Sequence, residues 1–521
     1  MDDSGLIAAL QHPEAYSVPV GPVRVIETHI SWIILTGTLA YKIKKPVNFG
    51  FLDFTRLEDR HHFCQEELRL NRRLAASLYL DCVPITGSPS HPQMAGEGEA
   101  IEYAVKMRQF DNEQLFDTLA VRNQLTVPLL ERLATRLADF HRQLPPAAPD
   151  SRFGEPDSIR EAALQNIDIL LNARQETEDR RVLPELARWT EQACQVLSPV
   201  FQARKQQGYI RECHGDLHLG NLVLLEGEPL PFDAIEFNPD FRWIDLMSEV
   251  AFPVMDLAVH GLANPAVQTL NRYLSVTGDY DGLQVFTFYR IYRALVRAKV
   301  IQLGRNPATE TAEHRSRILA RYRAYVRYAL DLTRSTSPRL FLTHGFSGSG
   351  KSTLAALLAA HTRAIVLRSD IERKRLHARL PSSAGLYDRA FTALTYRHLL
   401  ELTHRLLGWG FTVVVDASFL ARTERMYQQR QASELGVAWF IFSCTTSPAR
   451  LRQRIRKRAR QGLDPSDATV AVLENQRRYC DPLTDEEMAH RILIDTSTPE
   501  SLQSGLENGL RCGQLDSKSA N

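Results

Sequence analysis

Residues 345–352 contain the stretch Gly345-Phe-Ser-Gly-Ser-Gly-Lys351-Ser352, which fits the pattern GxxxxGK[ST]. An apolar, strand-like run (339–343) precedes it, and a run typical of a helix (353–361) follows it. In this context the glycines let successive backbone N–H groups point at phosphate oxygens at a helix N-terminus. A plain glycine turn is the alternative, but every motif position and both flanking elements fit a phosphate-binding loop. The predicted nucleotide-binding residues are Gly345, Ser347, Gly348, Ser349, Gly350, Lys351, Ser352 and Thr353.

Strand-like and helix-like segments alternate after this loop, which predicts an α/β domain with a parallel sheet. Further strands are predicted at 364–367, 411–415, 437–442 and 492–494. Asp370 and Asp416 follow two of these strands, and ligands of such sheets bind at the carboxyl ends of the strands. One aspartate can hold the Mg²⁺ water shell and the other can accept the proton of an attacking hydroxyl. Simple capping of the next helix remains an alternative for Asp370.

A strongly basic segment, Arg450 to Arg460, carries seven basic residues among eleven. It follows the fourth predicted strand, where small kinases carry an arginine-bearing lid. Arg454 and Arg458 are four residues apart and would lie on one helix face, able to clamp a transferring phosphoryl group. A solvated basic helix is the alternative.

Together these motifs resemble the P-loop kinase family that includes polynucleotide 5′-kinase, chloramphenicol phosphotransferase and the zeta-toxin kinases. The resemblance covers about 339–500 and rests on GFSGSGKS, RSDIER, VVVDASF and RIRKR. It implies that Asp370 is the general base, that Arg373 contacts the acceptor, and that Arg454 and Arg458 stabilise the transition state. Ser352 and Asp416 are then the Mg²⁺ ligands. Ser418 stands where polynucleotide kinases carry asparagine, which weakens the implied nucleic-acid substrate but not phosphoryl transfer.

The N-terminal half carries a second constellation, His214-Gly-Asp216-Leu-His-Leu-Gly-Asn221 followed by Pro231-Phe-Asp233. Asp216 can accept a hydroxyl proton, Asn221 can hold one metal ion, and Asp233 can hold the metal that bridges the phosphates. Two short β runs (222–225 and 230–232) would place these groups on one hairpin. Loop side chains that only satisfy backbone N–H groups are the alternative. His214 is expected to brace the loop by hydrogen bonds.

This constellation resembles the aminoglycoside phosphotransferase and choline-kinase-like fold, a two-lobed α+β relative of protein kinases, over about 20–330. The resemblance implies strands at Val23–Ile34 and Leu39–Lys44. The second of these carries a lysine for the α- and β-phosphates, which is Lys42 or, on the same strand face, Lys44.

The same resemblance implies a helix from about Asp59 to Ala76 that supplies the lysine's partner, Glu67 or, as second choice, Glu66. Met107 would lie on the linker strand that holds adenine. The motifs depart from the protein-kinase pattern in two ways. The turn Thr28–Ser31 lacks glycine, and the metal motif is Asp-Ala-Ile instead of Asp-Phe-Gly.

Both halves together resemble bacterial proteins called bifunctional aminoglycoside phosphotransferase/ATP-binding proteins, which join these two domains in this order. A polar stretch near 333–338 suggests the boundary. We predict a phosphotransferase-like domain at 1–335, a P-loop kinase domain at 336–512 and a flexible tail at 513–521.

Composition sets broader limits on the class of protein. The 521 residues are 44% hydrophobic and 24% charged with a net charge of +2, which is typical of a soluble multidomain chain. No apolar run is long enough to span a membrane, and the N-terminus lacks signal-peptide features. The seven cysteines are scattered and form no CxxC pair, which favours a reduced, cytoplasmic protein without a zinc site.

The leading hypothesis is an ATP- and Mg²⁺-dependent phosphotransferase with two nucleotide sites and a small-molecule hydroxyl acceptor. One alternative is a regulatory protein in which one domain senses a ligand and gates the other. A further alternative is 5′-end phosphorylation of nucleic acid by the C-terminal domain, whose residues 339–500 carry 24 basic and 16 acidic residues. Much of that excess lies in the basic segment, where ATP phosphates account for it. The identity of the acceptor and the oligomeric state stay open.

Overall fold

The computed structural model describes residues 3–50, 52–173, 179–305, 310–334, 337–380, 385–461 and 466–512, so the predicted tail lies outside the described residues. The strands are β1 (Arg24–Glu27), β2 (Ser31–Leu35), β3 (Leu39–Lys44), β4 (Tyr79–Ser88), β5 (His91–Met94), β6 (Ala100–Arg108), β7 (Ile210–Glu212), β8 (Leu222–Leu225), β9 (Glu228–Pro231), β10 (Trp243–Asp245), β11 (Arg339–His344), β12 (Ile365–Arg368), β13 (Val413–Asp416), β14 (Ala438–Thr445) and β15 (Arg491–Asp495).

The helices are α1 (Asp3–Ala9), α2 (Leu57–Ala75), α3 (Phe116–Val121), α4 (Val127–Gln143), α5 (Pro156–Asn172), α6 (Asp179–Gln206), α7 (Leu246–Val259), α8 (Ala263–Thr277), α9 (Leu283–Leu303), α10 (Ala312–Leu332), α11 (Lys351–Thr362), α12 (Ser369–Arg379), α13 (Arg389–Gly408), α14 (Arg422–Glu434), α15 (Pro448–Gln461), α16 (Val470–Arg478), α17 (Asp485–Ala489) and α18 (Pro499–Cys512). None of these helices is both long enough and apolar enough to cross a membrane.

The chain forms two compact units. The first contains residues 1–260 and 285–330, and the second contains 261–284 and 331–521. The segment 261–284, which includes α8, therefore packs with the residues that follow 331. The domain boundaries drawn from the sequence, near 335 and 512, stay predictions.

The first unit is α+β and begins with a six-stranded antiparallel sheet of order β1-β2-β3-β6-β4-β5. Side chains alternate along β3: Tyr41 and Ile43 enter one buried cluster, while Ala40 enters the cluster on the other face. Lys42 and Lys44 therefore share the face that helix α2 covers. The predicted strand Val23–Ile34 is divided into β1 and β2, because the Thr28 hydroxyl and backbone bond to Ser31 and close a turn between them.

The second unit is an α/β domain whose five strands are all parallel, in the order β12-β13-β11-β14-β15. This confirms the predicted parallel sheet. Strand β11 lies in the middle, and its Leu340, Phe341 and Leu342 are fully buried, as expected for a strand covered on both faces. The topology brings the carboxyl ends of β11, β12 and β13 to one edge of the sheet, which positions the loops of the candidate site.

Helix α8 completes this second unit at the edge of the sheet. The Asn271 side chain donates to the Ala364 carbonyl at 2.9 Å and accepts from the Val366 N–H at 2.8 Å, so it bonds to the backbone of edge strand β12 as a neighbouring strand would. Further along, the Tyr280 hydroxyl donates to Glu372 on α12 at 3.0 Å. The segment 261–284 thus holds both the strand and the helix that flank Asp370.

Candidate active sites

The loop between β7 and β8 is held by backbone contacts to a buried carboxylate. The N–H groups of His214 and Gly215 donate to the two oxygens of Glu249 at 2.7 and 3.1 Å. Gly215 has φ +90°, and a Cβ there would lie 2.6 Å from the Phe241 carbonyl oxygen, so this position requires glycine. The His214 ring bonds to the Phe232 carbonyl at 2.8 Å and to the Asp216 N–H at 3.3 Å. His214 therefore braces the loop, in line with its expected role.

Asp216 lies beside polar groups that favour its ionised form. The Asn221 amide donates to the Asp216 carboxylate at 3.2 Å, and His218 lies 3.5 Å from the same oxygen. Burial opposes the charge, but His218 and Arg297 outweigh it and hold the pKa of the Asp216 carboxyl well below its usual value. A carboxylate that stays charged at neutral pH can accept a proton from a hydroxyl.

The β8–β9 hairpin places Asn221 and Asp233 at its two ends. The Phe232 N–H donates to the Asn221 carbonyl at 3.0 Å, which closes the hairpin below both residues. Asp233 adopts φ +62°, a left-handed conformation rare for aspartate, and its N–H donates to the Tyr79 hydroxyl at 3.0 Å. The hairpin thus supplies oxygen donors, the ligand type that Mg²⁺ prefers.

Both candidate lysines contact the predicted glutamate. Lys42 Nζ lies 2.8 Å from one oxygen of Glu67, and Lys44 Nζ lies 2.8 Å from the other. Lys42 also pairs with Asp233, while Lys44 pairs with Glu236. Burial opposes both charges of the Lys42–Glu67 pair, yet the carboxylates raise the pKa of Lys42 and the two lysines lower the pKa of Glu67 to about 2.

The remaining predicted residues of the first unit have clear positions. Glu66 faces away from the lysines and pairs with Arg69 at 2.8 Å, so Glu67 is the carboxylate that meets them. Met107 lies on β6, buried beside Ala40 and Val105. The glycine-free turn that joins β1 to β2 is closed by Thr28, as described above.

In the second unit the predicted phosphate-binding loop connects β11 to α11. Gly345 has φ +140°, and a Cβ there would lie 2.8 Å from the Cys444 carbonyl oxygen. Lys351 begins α11, and its Nζ donates to the Phe346 carbonyl at 2.9 Å, across the curl of the loop. Burial lowers the pKa of Lys351, although Asp416 opposes that shift.

The two predicted aspartates occupy neighbouring strand ends. Asp416 is the last residue of β13 and is buried, with Arg368 at 3.4 Å from its carboxylate. Burial raises its pKa, and the Ser352 hydroxyl and Arg368 oppose the shift. The Ser352 hydroxyl and the Asp416 carboxylate fit the oxygen donor set of Mg²⁺. Asp370 lies in the first turn of α12.

The basic segment forms α15, and its two predicted arginines face the loop region. Arg454 donates to the Gly348 carbonyl at 3.3 Å and to the Thr496 carbonyl. Arg458 donates to the Ala468 carbonyl at 3.4 Å. A fully solvated helix does not describe these two side chains, although other members of the segment are exposed.

One cavity of about 1430 Å³ brings most of these groups together. Its lining includes the predicted residues Ser347, Gly348, Gly350, Lys351, Ser352, Thr353, Asp370, Arg373, Asp416, Arg454 and Arg458. Gly345 and Ser349 belong to the same loop but do not line the cavity. This is room for a nucleotide and a second small molecule.

Several residues of the two sites were not predicted from sequence. In the first unit, Glu249 and Arg293 hold the loop, Arg293 through the Gly215 carbonyl at 3.1 Å. In the second unit, the Thr496 hydroxyl donates to the Ser349 carbonyl at 2.6 Å, and the Gln476 side-chain oxygen accepts from the Ser347 N–H at 2.9 Å. Of these residues, only Arg293 belongs to a pattern visible in the sequence: it lies four residues before Arg297, which acts on Asp216, on the same helix. The other residues belong to no local motif.

Comparisons with known proteins give separate matches for the two parts of the chain. Residues 51–284 match the model of the phosphotransferase enzyme family, and residues 340–483 match the model of an AAA domain. An uncharacterized protein of Mycobacterium tuberculosis is 28% identical over 492 residues, which covers 93% of this chain and 94% of the relative. A Mycobacterium bovis protein gives the same values.

Among solved structures, an amicoumacin kinase with AMP-PNP and Ca²⁺ is 11% identical, covering 63% of this chain and 94% of that one, with a TM-score of 0.41. The APS kinase of Mycobacterium tuberculosis with AMPPNP and APS is 22% identical, covering 34% and 98%, with a TM-score of 0.26. The two family matches lie in the order, and over the parts of the chain, that the motifs predicted.

Proposed function

Because the chain joins a domain of the phosphotransferase enzyme family to a P-loop domain, we propose that it is an ATP-dependent phosphotransferase with two nucleotide sites. Each site would transfer the γ-phosphoryl group of ATP to a hydroxyl of a small molecule. The observation that carries the proposal is the cavity of the second unit, where Lys351, Asp370, Asp416 and Arg454 converge on the phosphate-binding loop.

In the second unit the loop and Lys351 would hold the β- and γ-phosphates. Asp370 would accept the proton of the acceptor hydroxyl. The hydroxyl oxygen would then bond to the γ-phosphorus while the bond between the γ-phosphorus and the bridging β-phosphate oxygen breaks, which leaves ADP. Arg454 and Arg458 would offset the charge of the transferring group. Mg²⁺, when bound by Ser352 and Asp416, would neutralise phosphate charge.

In the first unit Asp216 would take the corresponding proton. Asn221 and Asp233 would supply the oxygen ligands for Mg²⁺. Lys42 is favoured over Lys44 as the phosphate ligand, because its side chain is 11% exposed and meets Asp233, whereas Lys44 is fully buried between Glu67 and Glu236.

The test is transfer of labelled γ-phosphate by the full chain into three pools: aminoglycosides, 5′-hydroxyl oligonucleotides and a small-metabolite extract. The variants Asp216→Asn and Lys351→Met are compared with wild type, and Lys457→Met, an exposed lysine of α15, is the matched control. A product lost in only one of the two variants assigns that unit and its acceptor class. A product lost in both indicates coupled sites.

If no pool yields a product while Mg·ATP still binds, the proposal fails and the regulatory alternative gains support. ATP binding by the second unit is tested in a Lys42→Met background, in which the proposed site of the first unit is impaired. If adding Lys351→Met to this background does not weaken Mg·ATP binding, the assignment of the phosphate-binding loop is wrong.

A further inference from the structure

The cavity of the second unit has a side that the phosphate-binding residues do not use. We call it the acceptor wall; it consists of Arg373, Tyr387, Thr392, Tyr396, Ser418 and Glu424. These side chains come from α12, the loop before α13, α13 itself, the loop after β13 and the first turn of α14. They lie in the same cavity as Asp370 and Lys351, so a molecule held there could present a hydroxyl to the γ-phosphate.

Arg373 is built into this wall and keeps a buried donor unsatisfied. It is only 7% exposed, and its Nη1 donates to the Leu386 carbonyl at 3.2 Å and to the Thr392 hydroxyl at 3.0 Å. Its guanidinium lies 5.2 Å from the Tyr387 ring centre. Its Nε is buried without a hydrogen-bond partner among the described residues. Since buried donors are almost always satisfied, this guanidinium has hydrogen-bonding capacity that the described protein groups do not use.

Glu424 and Tyr396 supply the complementary groups. The Tyr396 hydroxyl lies 3.1 Å from the Ser418 hydroxyl, and Glu424 interacts with both Tyr396 and Arg373. Burial raises the pKa of Glu424 to about 7. The wall therefore combines a carboxyl acceptor, a guanidinium donor and hydroxyls that can do either.

The charge of the wall is balanced above about pH 7, where the Glu424 carboxyl is ionised. The positive charge of Arg373 interacts electrostatically with the Glu424 carboxyl, and the nearby cations Arg368 and Lys374 are already paired with Asp416 and Asp467 at 3.4 and 2.9 Å. Among the described residues of this side, no excess of cations is left for a polyanionic acceptor. Phosphates bound without paired cations would be strongly disfavoured in such a partly buried site.

Resting on the proposed function, we infer that the acceptor wall binds a neutral polyhydroxylated molecule, of the sugar or polyol class, with one hydroxyl directed at Asp370. A pair of neighbouring hydroxyls would donate to Glu424 and accept from the Arg373 guanidinium. This ligand class matches a wall that alternates donors and acceptors and has no net charge when Glu424 is ionised. On this inference, a nucleic-acid 5′ end is not the acceptor.

The experiment is ligand-observed saturation-transfer NMR at pH 8, where Glu424 is ionised, on the full chain saturated with Mg·AMP-PNP. The panel contains neutral sugars and polyols, their phosphate esters, nucleoside 3′-phosphates and a 5′-hydroxyl oligonucleotide. Glu424→Gln keeps the shape of the side chain but removes its charge, and Glu401→Gln on the exposed face of α13 is the matched control. We expect a neutral compound to bind wild type and Glu401→Gln, and to bind Glu424→Gln at least tenfold more weakly.

Binding of anionic compounds alone overturns the inference, and so does the absence of any neutral ligand whose affinity depends on Glu424. Protection of the phosphate-binding loop by Mg·AMP-PNP in hydrogen exchange is measured in the same samples. If that protection is missing, the proposed function itself fails; if it is present without a Glu424-dependent ligand, only this inference fails.

Discussion

Lys42 and Lys44 hold the two oxygens of one buried carboxylate, Glu67, each at 2.8 Å. The two lysines lie two residues apart on β3 and therefore on the same strand face. Their second partners differ: Lys42 meets Asp233, whose side chain is 44% exposed, whereas Lys44 meets the buried Glu236. The strand thus offers one lysine that a ligand can reach and one that is enclosed.

Lys44→Met should destabilise the first unit, whereas Lys42→Met should chiefly remove its phosphoryl transfer. Without Lys44 the carboxylate of Glu236 is buried unpaired, which costs about 3–5 kcal/mol. Without Lys42, Glu67 still pairs with Lys44, and the partly exposed Asp233 carboxylate can be solvated by water. Amide hydrogen exchange in peptides that cover β3 and α2 measures the stability, and transfer assays measure the activity. Loss of transfer in Lys44→Met with unchanged exchange would reverse the assignment.

Gly215→Ala should abolish transfer by the first unit, because the added Cβ would lie 2.6 Å from the Phe241 carbonyl oxygen. Gly227, in the β8–β9 turn, is a matched control: it also has positive φ, at +82°, but a Cβ there meets no atom within 4 Å. Both changes carry the backbone cost of roughly 1 kcal/mol, so only the crowding differs. We expect Gly227→Ala to keep most activity. Equal losses in the two variants would show that the crowding is not decisive.

Asn271→Ala should loosen the edge of the parallel sheet. The change leaves the Ala364 carbonyl and the Val366 N–H without the side-chain amide that bonds to both. Unsatisfied groups of this kind cost about 1–3 kcal/mol. Hydrogen exchange at Val366 should become faster, while Asn264→Ala, at an exposed position of α8, should leave it unchanged. Unchanged exchange in Asn271→Ala would argue that α8 does not stabilise the second unit.

The stability of the second unit should fall as pH rises through the range in which Glu424 ionises. Burial raises the pKa of Glu424 to about 7 from the usual 4.5. Between pH 4.5 and pH 7 the folded protein keeps the Glu424 proton that the unfolded chain releases. The contribution of Glu424 to the free energy of unfolding is therefore fully present below about pH 4.5 and is lost as the pH rises through 7. Glu424→Gln mimics the protonated form. Its Tm relative to wild type should therefore increase from pH 5 to pH 8 and level off above 7.

Scanning calorimetry at pH 5, 6.5 and 8 measures this difference. The same Glu-to-Gln change at the exposed position Glu401 serves as the control. A pH-independent difference for Glu424→Gln would show that the carboxyl is not held in its neutral form.

The sequence alone determined the features whose chemistry is contiguous in the chain. The loop 345–352, the constellation from Asp216 to Asp233 and the alternation of strands and helices after 339 depend on local spacing, because phosphate cradles and hairpins form between near neighbours. The α/β fold class of the C-terminal half followed from these patterns, and the α+β class of the N-terminal half followed from the family resemblance that its motifs carry. The strand ends were predicted to within a few residues, since hydrophobic runs do not mark where pairing stops.

Tertiary structure decided which of two adjacent candidates meets a partner. Glu66 and Glu67 differ by about 100° around α2, and only packing against the sheet turns Glu67 toward the lysines. Likewise Glu424 and Arg373, 51 positions apart, form one wall, and Asn271 completes a sheet that begins 68 residues later. Such contacts depend on the folding of distant segments around a common core, for which a single sequence carries no local periodicity or spacing.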